Sequence, residues 1–250
     1  MPYIQCNNIE MYYEKMGIGS PIVFLHSGFS RGILAFASQI LDFQRKYTCY
    51  FPDFRGHGRT RSSSLEWSTP QHADDIFAFM DQLQIQQTHF IGYGMGGGVA
   101  LHCAVNQPER VASLTSIGQS GFVASMGSEE FEPERLLQNK NYDFIKSMEE
   151  RHFDAHQGNW QEFLRQKIKD WRTYPNLTDD QLRSISCPAL FIAGEYDEFA
   201  PEEDLKRVTN LIPDSRYVIV PGRSHKTHMN REDPAFVNDT ILDFLEKNSG

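Results

Sequence analysis

The sequence predicts an α/β domain built on a mostly parallel sheet flanked by helices, with a helical insertion late in the chain. Three observations point there. Short apolar runs bounded by turn residues, among them PIVFLH (21–26), TCYFPD (48–53), THFIGY (88–93), RVASLTSIG (110–118), CPALFIAG (187–194) and SRYVIVPG (215–222), have the length and composition of strands buried on both faces. Helical patterns lie between several of them, the alternation that gives parallel strands with helices on both sides of the sheet. Finally, residues 121–185 interrupt that rhythm with helix signals and no convincing strand.

Taken in order, YIQCNNIEMYYEK (3–15) predicts two short strands around an Asn-Asn turn, an edge hairpin. The segment from Thr69 starts a helix, with Thr69 as its cap, Pro70 at the first helical position, and Ile76, Phe77, Phe79, Met80 and Leu83 on one side. In the insertion, Trp160, Phe163, Leu164, Ile168 and Trp171 fall at i, i+3, i+4, i+8 and i+11, an amphipathic stripe. This stripe has two readings: it packs against the rest of the insertion, or part of its aromatic face lines a pocket beneath a cap. The expected division is a core of 1–120 and 186–250 with a cap of 121–185.

Composition limits the function. With 24 basic and 33 acidic side chains the formal net charge is −9, which disfavours nucleic acid and anionic membranes as partners. There is neither a basic start followed by an apolar leader segment nor a window long and apolar enough to span a bilayer, so a soluble cytoplasmic protein is expected. Cys6, Cys49, Cys103 and Cys187 are widely spaced and form no CxxC pair, as expected of buried, inert thiols in a reducing compartment. The sequence leaves the oligomeric state open.

The stretch THFIGYGMGGGVALHCA (88–104) carries the main functional question. Gly92-Tyr93-Gly94-Met95-Gly96-Gly97 matches G-x-G-x-x-G between a strand and a helix, the context of a dinucleotide fingerprint. The acidic residue expected at the end of the next strand is absent: RVASLTSIGQSG has none, and Glu109 precedes it. About four strand candidates also come before a motif that normally opens its domain. The alternative is a nucleophile elbow, G-x-S-x-G, with Gly94 where the serine belongs and small residues on both flanks so that strand and helix can approach.

What separates the two is whether the partners of a nucleophile follow in order. They do: Asp197 lies just past the strand CPALFIAG and His225 just past SRYVIVPG, at the strand ends where open α/β sheets gather their catalysts. Upstream, His26-Ser27-Gly28 ends another strand. There the N–H of Gly28 could join that of Met95 in holding an oxyanion.

These motifs together resemble the α/β-hydrolase family across nearly the whole chain. FLHSGFS is similar to its oxyanion loop, DFRGHGRT (53–60) to its Asp-x-Arg-Gly-x-Gly-x-Ser signature, GYGMGG to its elbow, AGEYDEFAP to its acid loop and PGRSHKTH to its histidine loop. The resemblance implies an α/β-hydrolase fold with an eight-stranded sheet, a Ser-His-Asp triad and no cofactor. Three positions depart from the pattern. Gly94 replaces serine, Ser27 stands in the usual His-Gly pair with Gly28 following, and His228 lies three residues after His225. His225 is the expected base because it directly follows the Pro-Gly turn. A zinc reading of the two histidines has no further ligand set behind it.

Without an Oγ at position 94 no acyl-enzyme can form, and loss of the serine in a comparable triad costs about 10⁶ in turnover. Glycine suits the strained elbow backbone, so an intact site lacking one hydroxymethyl group is what an inactivated variant that traps ligand would carry. A natural non-hydrolytic relative, either a binding protein or a cofactor-free lyase, is the alternative. For the parent, aromatic residues of the insertion (Phe131, Phe144, Phe153, Trp160, Phe163, Trp171, Tyr174) suggest an apolar ester or lactone. Carbon–carbon cleavage remains open, and the expected substrate contacts are Phe29, Phe144, Trp160 and Trp171.

Overall fold

Successive residues of the central strands divide between the two sides of one sheet, as the period of a strand requires. The computed structural model describes residues 3–124 and 126–248. Its first strands are β1 (Tyr3–Cys6), β2 (Ile9–Met16) and β3 (Ser20–Leu25), followed by two short helices, α1 (Gly32–Ala35) and α2 (Ile40–Phe43). Next come β4 (Tyr47–Pro52), the two-residue β5 (Arg61–Ser62), α3 (Thr69–Gln82), β6 (Thr88–Tyr93), α4 (Met95–Asn106) and β7 (Val111–Ile117). The sheet runs β1-β2-β4-β3-β6-β7-β8-β9, with β8 at Ala189–Gly194 and β9 at Ser215–Val220, and β5 pairs with β2 off this path. Pairings of β2 are antiparallel, and those from β4 through β9 are parallel. The eight-strand path matches expectation, and β5 is an addition too short to be read from sequence.

Val23 and Leu25 enter the cluster beneath α3, α4 and α10 (Glu202–Leu211), whereas Ile22 and Phe24 enter the cluster beneath α1, α2 and α11 (Pro234–Lys247). β8 alternates in the same way, with Ala189, Phe191 and Ala193 on one side and Leu190 and Ile192 on the other. Strand order reverses direction at β3: the chain steps outward to β4, then crosses to β6 on the other flank. That switch point opens a crevice at the strand ends.

Between β7 and β8 the chain forms α5 (Pro133–Gln138), α6 (Tyr142–Arg151), α7 (Phe153–His156), α8 (Trp160–Trp171) and α9 (Asp179–Arg183). Leu136, Ile145, Met148, Phe163 and Leu164 make a small core of their own, with Trp160 packed on its edge.

One helix start differs by a residue from expectation. Ser68 caps α3 by accepting from the Gln71 N–H at 3.3 Å, while Thr69 reaches instead to Asp170 of α8. The four cysteines are free and buried, and among the described residues no helix is long and apolar enough to cross a membrane.

Candidate active site

The glycines after β6 are demanded by packing. A Cβ on Gly92 would stand 2.2 Å from the Gly96 carbonyl oxygen, and one on Gly96 would stand 1.9 Å from that of Leu25. Strand and helix approach too closely for side chains, which accounts for the G-x-G-x-x-G match without a nucleotide. Gly94 differs from them. Its backbone sits at φ 54° and ψ −117°, a conformation costly for any other residue. Yet the nearest atoms to a Cβ there are Ser27 Cβ at 3.4 Å and His225 Nε2 at 3.6 Å, ordinary contact distances. One bond further out, a serine Oγ falls within reach of that nitrogen, about 2.6–3.2 Å.

His225 and Asp197 arrive at this point from neighbouring strand ends. His225 Nδ1 lies 3.0 Å from both Asp197 carboxylate oxygens, and the carboxylate is buried while the imidazole is a quarter exposed. Asp197 Oδ1 also accepts from the Phe199 and Ala200 N–H groups, which fixes its orientation. Gly118 at the end of β7 makes room for the pair, since a Cβ there would stand 2.7 Å from the His225 ring. His228 points elsewhere. It is fully buried, its Nε2 faces the Ala35 carbonyl oxygen at 3.1 Å, its ring packs on Tyr93, and burial lowers its pKa to about 3. Among the described residues no group of three metal-ligating side chains gathers.

The loop after β3 is braced from below. His26 Nδ1 bonds the Ser27 carbonyl oxygen at 2.8 Å while its Nε2 accepts from the Phe54 N–H at 3.0 Å, a pattern that requires the neutral imidazole. Burial lowers its pKa to about 3. His57 lies between the carbonyl oxygens of Arg55 (2.9 Å) and Gly28 (3.1 Å). Asp53 accepts from the Gly32 N–H at 2.8 Å and pairs with Arg59, and Arg55 forms a fully buried two-point pair with Asp75. The signature at 53–60 therefore holds the loop that carries Gly28. Met95 is the first residue of α4, so its N–H has no partner in the helix ladder.

These groups open onto a cavity of about 600 Å³ roofed by the insertion. Gly28, Phe29, Gly94, Met95, His225, Phe144 and Trp171 all line it. Trp160 does not: it sits on the edge of the insertion's own core, because at the first position of α8 it lies two turns and more from the cavity end of the stripe. Phe163 is likewise interior, stacked on His152, and Phe153 is exposed on the outer surface. The stripe thus serves both expected roles, divided along its length.

Sequence reasoning missed Lys167, Arg151, Asp170, Tyr93 and Phe199 on the cavity wall. A signal for Lys167 was present: it stands four residues after Phe163 and four before Trp171, a charge set into the apolar face of α8. Burial lowers its pKa.

A family model described as the alpha/beta hydrolase fold matches residues 21–149, just over half of the chain. The chain belongs to the α/β-hydrolase fold family. Among its relatives is a Bacillus subtilis protein named as an uncharacterized carboxylesterase, 24% identical over 92% of this chain and 80% of that one. A thermophilic esterase from Thermogutta terrifontis superposes with a TM-score of 0.80 at 21% identity, covering 99% of both chains. The enol-lactonase of Burkholderia xenovorans LB400 superposes with a TM-score of 0.77 at 19% identity, covering 98% of this chain and 100% of that one. At these identities the two solved structures speak for the fold alone.

Proposed function

We propose that this chain is a serine hydrolase of small esters or lactones whose nucleophile position is occupied by glycine. The observation that carries the reading is the 3.6 Å between a Cβ at Gly94 and His225 Nε2, with Asp197 on the far side of the same ring. In the serine-bearing form the hydroxyl attacks the substrate carbonyl, His225 takes its proton and later passes it to the leaving group, and Asp197 holds the imidazole with its Nδ1–H toward the carboxylate. The N–H groups of Gly28 and Met95 receive the developing oxyanion, the latter at the positive end of α4.

Residues 121–185 act as the cap, contributing Phe144 and Trp171 opposite Phe29. The name of the carboxylesterase relative supports an ester, the aromatic cavity lining suits an ester or a lactone, and the reaction needs no cofactor. A reducing cytoplasm suits the four free thiols.

With glycine at position 94 the chain retains base, orienting acid and oxyanion donors but lacks the attacking atom. It binds substrate and hydrolyses it only through water activated by His225. A binding protein has no chemical need for the Asp197–His225 pair, which favours an inactivated hydrolase over a pure binding protein.

The test is ester and lactone hydrolysis by the chain as it stands and by Gly94→Ser. A rise in turnover of about 10³ to 10⁶ is expected. The same substitution places a side chain at φ 54° and is expected to lower unfolding free energy by about 1–3 kcal/mol, read from denaturant curves. A folded but inert Gly94→Ser chain would refute the hydrolase reading and leave the binding protein or lyase standing.

A further inference from the structure

The cavity holds a positive charge that the triad chemistry does not use. Lys167 is 6% exposed, and its side chain runs along the floor of the Gly28 turn, where a Cβ on Gly28 would stand 2.5 Å from its Nζ. Among the described residues Nζ has no carboxylate within 4 Å, and its contact of hydrogen-bonding range is the Met95 thioether at 3.9 Å. The ammonium otherwise faces rings, 5.6 Å from the centroid of Trp171 and 5.9 Å from that of Phe29. Asp170, one turn along, is committed elsewhere: its two oxygens take the N–H and the hydroxyl of Thr69 at 2.6 and 2.8 Å.

A second cation borders the same cavity. Arg151 bonds the Phe29 carbonyl oxygen and the Ser147 hydroxyl, and it too lacks a carboxylate within 4 Å among the described residues. Buried charges are normally neutralised by a partner. In a chain of net charge −9, Lys167 and Arg151 line one cavity with no carboxylate in contact with either among the described residues; Asp170 offsets Lys167 only at longer range, and the remaining charge marks where an anion belongs.

We propose that the cavity is built for a substrate carrying a carboxylate in addition to its ester or lactone, with Lys167 as the group that binds that carboxylate and Arg151 as a further cation on the cavity lining. The rings of Phe29, Phe144 and Trp171 then enclose the short apolar spacer between the two functional groups. This deepens the hydrolase reading and rests on it for the reacting bond, whereas the anion site stands on the binding geometry alone.

The probes are monomethyl glutarate, which carries one ester and one carboxylate, and the neutral dimethyl glutarate. Calorimetric titration into the unsubstituted chain is expected to show the anion binding about 10- to 100-fold tighter. Lys167→Met, of similar length and fit for a site beside Met95, is expected to bring that ratio close to one, while Lys167→Arg keeps a preference for the anion. Circular dichroism and thermal melts establish that each variant folds. Should Lys167→Met fail to fold, Arg151→Gln replaces it and is expected to reduce the ratio.

Equal binding of the two probes, no binding of monomethyl glutarate up to about 10 mM, or a ratio unchanged by the substitutions would overturn the assignment. Turnover in the Gly94→Ser background reads the hydrolase separately. An inert Gly94→Ser chain with intact, Lys167-dependent anion binding sinks the reaction and leaves the site. Brisk cleavage of both esters with no dependence on Lys167 does the reverse.

Discussion

The strand-end loops and the helices of the insertion face one cavity, but they encode their contributions differently. Gly28, Gly94, Asp197 and His225 each follow a strand whose position the hydrophobic pattern specifies, so a short motif is enough to locate them. In the insertion, two tryptophans on one stripe of α8 part company: Trp171 lines the cavity and Trp160 packs on the insertion's own core. A strand end is a place in the fold, whereas a helix stripe has meaning only once its neighbours are known. The candidate catalytic positions are therefore readable in the loops, whereas which helix residues line the cavity requires the packing.

This comparison is open to test at several strengths. Asp197→Asn in the Gly94→Ser background is expected to lower kcat by about 10⁴, because the amide favours the wrong imidazole tautomer. A loss under tenfold would mean that the strand-end loops do not operate as a unit. The two tryptophans should then separate in kind. In the same background, Trp171→Ala removes ring contacts with Phe29, Phe131 and Phe199 and is expected to raise KM about tenfold or more. Trp160→Ala is expected to leave KM unchanged and cost about 1–3 kcal/mol of stability. Steady-state kinetics and denaturant melts on the pair decide it, and equal KM effects would erase the distinction.

The smallest effect lies where the two regions meet. His57 and His72 from the core and His152 from α6's end form a fully buried ring cluster with Trp67 and Phe163. Burial holds all three pKa values well below the ordinary 6.5, and His102 is lowered to about 4 for the same reason. In the unfolded chain these imidazoles take protons below about pH 6.5 that the folded chain refuses. The contribution of these histidines to stability is thus complete above pH 6.5 and is lost as pH falls from there toward about 4 and below. Among the described residues neither ring nitrogen of His72 has a hydrogen-bond partner. His72→Phe is accordingly expected to flatten the Tm profile between pH 7.5 and 5 and to leave stability at neutral pH within about 1 kcal/mol or slightly improved. A steeper profile in the variant would overturn this account.

Much of the fold was legible because parallel strands are nearly uniform apolar runs: every strand from β3 through β9 except β5 was anticipated to within a residue or two. β5 escaped because two residues carry no period. The Ser68 cap was displaced by one position, since Thr69 has equal capping chemistry and only the tertiary partner Asp170 withdraws it. Among site residues, Gly118 gave no sign, because its role is the absence of a Cβ beside a ring brought from a strand distant in sequence. Lys167 left a visible flaw in an apolar stripe.

The bond pair from Thr69 to Asp170 has a mechanical corollary. A carboxylate from α8 terminates the amide ladder of α3, so the roof of the cavity and the first turn of a core helix share one fastening. Lifting α8 to admit a ligand strips that first turn of its acceptor, and the frequency of such excursions should be legible as deuterium uptake at the Thr69 amide, slowed whenever the cavity is filled.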